Sequence, residues 1–215
     1  MSLKPYKTLL KAASDEFIVN KSRFIGHGRP CETEAEALAF LAEMRAKYKD
    51  ATHNCYAYII GHNMGVMRYS DDGEPGGTAG MPIIEVMKAR GVTNAAVVVT
   101  RYFGGVLLGA GGLVRAYTQG AVCALNACGV GVMHPTARYS MAIGYPMLNR
   151  VDFFLKDEPV IVEDKAFTEA VAYTLVVRCE DEDAFLGRLR NMSDGTVRPE
   201  RVEELYLAWP EEDAL

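Results

Sequence analysis

Residues 95–117 read AAVVVTRYFGGVLLGAGGLVRAY, and the pattern inside them changes twice. Ala95 to Thr100 is an unbroken run of small and β-branched residues, the composition of a strand covered on both faces. Gly104, Gly105, Gly109, Gly111 and Gly112 follow, where the chain turns tightly or lets something approach its backbone. Leu113, Val114, Tyr117, Ala121, Ala124, Leu125 and Cys128 then recur at helical spacing. A strand that feeds a glycine loop and opens a helix presents free N–H groups and a positive dipole end, where an anion can sit. Arg101 at the strand end and Arg115 in the first helical turns add charge of the right sign.

The surrounding charge supports that reading. The 215-residue chain carries a net charge of −5, but unevenly. Residues 1–135 are net +3 and residues 136–215 net −8. No acid lies between Glu85 and Asp152, while Lys88, Arg90, Arg101, Arg115, Arg138 and Arg150 do. A buried core without acids and a basic surface facing an anionic partner both account for this window. At 49% apolar and 24% charged residues, the composition is that of an ordinary globular protein. No stretch reaches membrane-spanning length, and the N-terminus has no secretory pattern. Five scattered cysteines without a Cys-x-x-Cys pair read as reduced thiols in a cytoplasmic protein.

In chain order, residues 1–13 read as a lead-in and Phe17 to Cys31 as one strand, with Lys21 and Arg23 near its middle. Thr33-x-x-Glu36 is a capping box opening a helix with Leu38, Leu41, Met44 and Tyr48 inward. Thr52 to Ile60 is a strand paired with Val66 to Tyr69 through the turn at 61–65. Ser70 to Gly80, SDDGEPGGTAG, is irregular, and Pro82 starts a short helix with Ile83, Val86 and Met87 inward. A break at His134-Pro135 marks the domain boundary. Beyond it come a strand (138–143), a helix (146–155), strands at 160–163 and 167–178, a helix (181–190) and a final strand (197–209). This β-α-β-β-α-β order is the ferredoxin-like signature.

Several constellations carry chemistry. The glycine turn is neither a Walker loop nor a dinucleotide fingerprint, because no Gly-Lys-Ser/Thr follows and the third fingerprint glycine falls on Val114. It is an anion site, a close-packing device, or both. Asp71, Asp72 and Glu74 could hold Mg²⁺ or act as acid and base, or could cap the loop and pair with Arg68 or Arg101. His53 and Cys55 share a strand face and line a candidate site, but such neighbours stand ~7 Å apart and no third metal ligand is visible. Tyr102, Phe103 and Tyr117 flank the turn, and an exposed ring beside Arg101 suits stacking on a nucleobase. No metal site, cofactor motif or sequence-specific DNA motif is assigned.

Taken together, Arg68-Tyr-Ser-Asp-Asp-Gly-Glu-Pro-x-Gly-Thr-Ala-Gly-x-Pro, Val-Val-Thr-Arg-Tyr-Phe-Gly-Gly and Leu-Gly-Ala-Gly-Gly-Leu-Val-Arg-Ala-Tyr, with Thr52-His53-x-Cys55-x-Ala57 upstream, resemble the IMPACT/YigZ family over roughly residues 15–130. The remainder is similar to the smaller C-terminal domain of the bacterial members. The resemblance implies an α+β fold: an IMPACT-type domain over 1–135, like domain IV of elongation factor G and a ribosomal protein's second domain, then a ferredoxin-like domain over 136–215, like domain V of that factor. It links the chain to translational control. Eukaryotic members restrain an initiation-factor-2α kinase by competing for its ribosome-associated activator. They use a further N-terminal domain that this sequence does not show, so that partner is not carried over. The family's usual lysine between the double glycine and the Leu-Gly-Ala-Gly-Gly run is Leu107 here.

The leading expectation is a non-enzymatic cytoplasmic regulator that binds RNA or the ribosome, with Arg68, Arg101, Tyr102, the five turn glycines and Arg115 as its contacts. One rival is a metal-assisted hydrolase or transferase on a small phosphorylated substrate, using Asp71, Asp72, Glu74 and His53. Another is a protein–protein module presenting the acidic C-terminal domain.

Overall fold

The structure, a computed structural model, describes residues 4–209. The chain is mixed α+β, and its described residues divide into two compact units, Tyr6–Val132 and the part from Met133 onward together with residues 4–5.

The first unit is built on a five-stranded antiparallel sheet in the order β2-β3-β6-β4-β5, where β2 is Ala13–Val19, β3 Ser22–Pro30, β4 His53–Ile60, β5 Val66–Ser70 and β6 Ala95–Tyr102. A short strand β1, Tyr6–Leu9, precedes it. The apolar run of β6 is explained by what covers each face. Ala95, Val97 and Val99 alternate toward one core with Cys55, Ala57 and Ile59 of β4 and the helices α2 (Gly80–Ala89) and α3 (Gly109–Cys128). Ala96 and Val98 point the other way, into a second core beneath α1 (Glu34–Lys47), with Tyr58 and Ile60. A period-2 strand between two helical layers has no solvent face, so both residue parities are apolar. α1 is capped as its sequence predicts, with the Thr33 hydroxyl accepting from the Glu36 N–H at 3.2 Å.

Several boundaries differ from expectation. The single strand over 17–31 is instead a hairpin, because Asn20 and Lys21 both adopt positive φ (46° and 64°) and reverse the chain in two residues. Lys21 therefore sits in a turn, and without a glycine there the turn leaves little trace in the sequence. In α1, Ala37 and Phe40 join Leu41 and Met44 in the core, whereas Leu38 is half exposed. α3 starts at Gly109, so Gly109, Gly111 and Gly112 form its first turn, and Val114 faces outward.

The second unit has the sheet neighbours β10-β7-β9-β8, all antiparallel: β7 is Val130–Ile143, β8 Val160–Phe167, β9 Val171–Arg178 and β10 Glu200–Ala208. α4 (Leu148–Leu155) and α5 (Glu182–Met192) pack their Val151, Leu155, Phe185 and Leu189 against Tyr139, Met141, Tyr173 and Leu175. β7 runs straight through His134-Pro135, so the sequence break does not interrupt the strand. β8 extends past its expected end because a bulge between Val162 and Asp164 disturbs the alternation without ending the ladder, and the hairpin turns at Thr168–Ala170 instead.

Candidate functional site

The register of the first sheet sets the site. Arg101 is the next residue after Val99 on the same face of β6, and its Cα partners are Phe24 on β3 and His53 on β4. The apolar row Ala95–Val97–Val99 thus ends in a cation, flanked by an aromatic ring and an imidazole. The Arg101 guanidinium lies over the Phe24 ring, 5.4 Å from its centroid, and 5.5 Å from that of Phe103.

The acidic loop folds onto this row through its own carboxylates. Asp71 accepts from the backbone N–H groups of Gly77 (2.8 Å), Ala79 (3.0 Å) and Gly80 (2.8 Å), which closes the loop and supplies the N-terminal cap that Ala79 cannot. Asp72 accepts from the Asn54 N–H at 2.6 Å, and its backbone carbonyl accepts from His53 Nδ1 at 2.7 Å. Glu74 turns inward. Its Oε1 accepts from Arg101 Nη1 at 2.6 Å and from the Tyr117 hydroxyl at 2.7 Å, and His53 Nε2 stands 3.9 Å away. Both ends of the ion pair are buried, with 6% of the Arg101 side chain and 3% of the Glu74 side chain exposed. Burial pushes the Tyr117 hydroxyl well above the usual phenol range, so it stays a donor. Burial likewise pushes the Cys55 thiol up to about 12; its Sγ donates to the Asp71 carbonyl at 3.0 Å. Cys55 is a structural thiol.

Above this network lies a cleft of about 410 Å³ lined by Thr52, His53, Gly73, Glu74, Pro75, Arg101, Phe103 and residues Leu107, Leu108, Gly109, Ala110 and Leu113. The acidic loop and the glycine turn therefore meet. Of the expected contacts, His53, Glu74, Arg101 and Gly109 converge here. Arg68 is exposed on the outer strand β5 and donates to the Met67 carbonyl, away from the cleft. Tyr102 points to the opposite face of β6, where its hydroxyl donates to Asp50 at 3.0 Å. Arg115 is exposed on α3 and does not line the cleft. Tyr117 is wholly buried, which leaves Phe103 as the exposed ring beside Arg101.

The turn glycines divide into two kinds. A Cβ on Gly104 would sit 2.1 Å from the Lys21 backbone, and the Gly104 N–H donates to Ser22 Oγ at 3.2 Å. This glycine docks the turn on the β2–β3 hairpin. Gly105, Gly109 and Gly111 face open space instead. Gly109 has φ of +68°, which lets the chain enter α3 without a side chain over the helix end.

Asp71, Asp72 and Glu74 are each engaged separately, and among the described residues no group of three His, Cys, Asp or Glu side chains could hold a metal ion. Ser22 was missed by sequence reasoning: its hydroxyl accepts from both Gly104 and, at 3.5 Å, Arg101 Nη2. No local signal marks a serine just after a glycine-free turn. Among the described residues no helix is long and apolar enough to cross a membrane.

Comparison with known proteins agrees with these motifs. The Impact N-terminal domain matches residues 20–125, and a domain of unknown function, DUF1949, matches residues 141–196. The IMPACT family member YvyE of Bacillus subtilis is 36% identical over 95% of this chain and 94% of its own length. The IMPACT family member YigZ of Escherichia coli is 31% identical over 86% of this chain and 92% of its own. A crystal structure described as that of a hypothetical protein superposes with a TM-score of 0.60 at 28% identity, covering 94% of this chain and 99% of that one. The chain belongs to the IMPACT family.

Proposed function

We propose that this chain is a non-enzymatic cytoplasmic regulator that binds RNA, free or within the ribosome, through the face around the glycine turn, and so modulates translation. The observation that carries the proposal is the open N-terminus of α3. Its first turn holds no acid and no side-chain cap, and Gly105, Gly109 and Gly111 leave its backbone approachable. Free N–H groups at a positive dipole end suit a phosphate. Lys21 beside Gly104 and Arg115 on α3 are exposed and carry no ion pair among the described residues, so both remain available to a polyanion. The β10-β7-β9-β8 order with two helices supports the ferredoxin-like assignment of the second unit, and with it the likeness to consecutive domains of elongation factor G.

The test is RNA and ribosome binding by the full chain across a salt series. Arg115→Ala and Lys21→Ala should each weaken binding for every sequence and flatten the slope of log affinity against log salt by roughly 0.7. Absence of binding at low salt, or unchanged affinity in both variants, overturns the proposal.

A second reading, a hydrolase or transferase on a small phosphorylated substrate, is favoured by the His53–Glu74–Arg101 group at the floor of a cleft. It requires turnover that Glu74→Gln abolishes. The interaction-module reading rests only on the acidity of the second unit, whose Arg138, Arg188 and Arg201 are already paired with acids.

A further inference from the structure

We infer that the second unit carries a ligand pocket of its own, formed between the end of α5 and the loop that leaves it, and that its ligand is a small phosphate monoester with an apolar body. The inference is independent of the RNA reading and uses no residue of the first unit.

The pocket is a cavity of about 410 Å³. Leu186, Leu189, Val197 and Pro199 are its apolar walls, and Arg190 and Arg198 are its charged residues. No acid lines it among the described residues. That sets it apart from its surroundings, because residues 136–215 are net −8.

The other arginines of this unit give the contrast its meaning. Arg138 is paired with Glu163 and Glu203, Arg150 with Asp194, Arg188 with Glu158, and Arg201 with Glu182 and Glu204. Arg178 lies over the Trp209 ring. Arg190 and Arg198 are exposed, and their side chains have no such partner among the described residues. In a unit with a surplus of carboxylates, the two guanidinium groups left uncompensated are the two that share a cavity.

The fold itself does not need them there. The Leu189 carbonyl accepts from the Ser193 N–H at 3.0 Å and the Arg190 carbonyl from the Gly195 N–H at 2.9 Å, so the backbone closes the end of α5 without a side-chain cap. The loop is also held before any ligand arrives. Ser193 is buried; its hydroxyl donates to the Leu189 carbonyl at 2.8 Å and accepts from the Val197 N–H at 3.3 Å. The wall carrying Val197 is thus preformed, which spares a ligand the entropy of ordering it.

Charge and shape select the ligand. Guanidinium groups fork onto oxyanions, and a phosphate monoester carries close to two negative charges near neutral pH. Two arginines match it, whereas a carboxylate or a phosphodiester brings one charge. The apolar walls favour an aromatic or hydrocarbon group beside the phosphate over inorganic phosphate alone.

The experiment is titration calorimetry of the full chain with three probes: phenyl phosphate, inorganic phosphate as the head alone, and phenol as the body alone. Phenyl phosphate should bind at one site, about tenfold more tightly than either of the others. Arg190→Ala and Arg198→Ala should each weaken it by about tenfold, and Arg115→Ala in the first unit should leave it unchanged. Both pocket arginines are exposed, and circular dichroism verifies that each variant folds. No saturable binding of phenyl phosphate, or affinity unchanged in both pocket variants, overturns the inference. Inorganic phosphate binding as tightly as phenyl phosphate overturns the role of the apolar walls and with it the ligand class. Displacement of phenyl phosphate by single-stranded RNA also overturns it, because the arginines would then belong to a polynucleotide surface.

Discussion

Glu74 and Arg101 lie 27 residues apart in sequence and meet at 2.6 Å, inside a protein wall that leaves both almost without solvent. A buried pair of this kind is asymmetric in its energetics. Removing one partner strands the other charge, at a loss of about 3–5 kcal/mol, whereas removing both together is far milder. Arg101→Leu and Glu74→Leu should therefore each unfold at markedly lower urea than the wild type. The double variant should recover much of the loss, and Glu74→Gln, which can still accept from Tyr117, should lose least. Additive single losses would show that the pair is not coupled.

His27 predicts an acid sensitivity. Its ring is 1% exposed, Nδ1 contacts Ser14 Oγ at 2.7 Å, and Nε2 is buried without a hydrogen-bond partner. Burial lowers its pKa from 6.5 to about 4. Between those values the unfolded chain binds the proton and the folded chain does not, so stability rises with pH across that window and falls on acidification. The difference is about 3 kcal/mol between pH 7 and pH 4. Urea unfolding from pH 7 down to pH 4 should show this decline, and His27→Asn should flatten it.

The thiols should sort by burial. Cys31, Cys55 and Cys128 are buried, and Cys31 and Cys55 are pushed up to about 11 and about 12 by desolvation. Cys123 and Cys179 are partly exposed. A thiol reagent at pH 8 should modify these two in the native protein and all five in denaturant. Rapid native labelling of Cys55 would contradict the closed network around Asp71.

Two glycines of one turn should respond in opposite ways. Gly104→Ala forces a methyl group to within 2.1 Å of the Lys21 backbone, so it should lower the melting temperature and displace the turn. Gly111→Ala meets nothing within 4 Å and lies in a helix, so it should be neutral or stabilise by up to about 1 kcal/mol. If Gly111→Ala weakens RNA binding while stability holds, the methyl group is obstructing a ligand.

Much of this was legible in the residues themselves. The AAVVV run announced a strand covered on both faces, the Thr33–Glu36 pair a capped helix start, and the three motif segments the IMPACT family. The convergence of the acidic loop with the glycine turn was posed by the sequence only as a question, because it depends on the pairing of β4 with β6 and on Glu74 turning inward. Arg101 illustrates the limit. Read alone, an arginine at a strand end beside five glycines suggests an open anion contact. The alternation that hides Val99 also hides Arg101, and only the fold brings Glu74 and Tyr117 to it. The Asn20–Lys21 reversal was invisible for a different reason: left-handed backbone at two non-glycine residues is set by the sheet they join, not by their own preference.

That reversal has a reach beyond its own hairpin. Ser22 follows it directly, is fully buried, and ties both Gly104 and Arg101 from 82 and 79 residues earlier in the chain. The rim of the cleft is thus hung from a turn that contributes no lining residue. Exchanging Asn20-Lys21 for another two-residue turn would tilt Phe103 and Leu107 as a block, a remote adjustment of the mouth that reaches the floor only through the 3.5 Å contact between Ser22 and Arg101. Relatives that differ in ligand preference need not differ inside the cleft; the first place to compare them is residues 20–22.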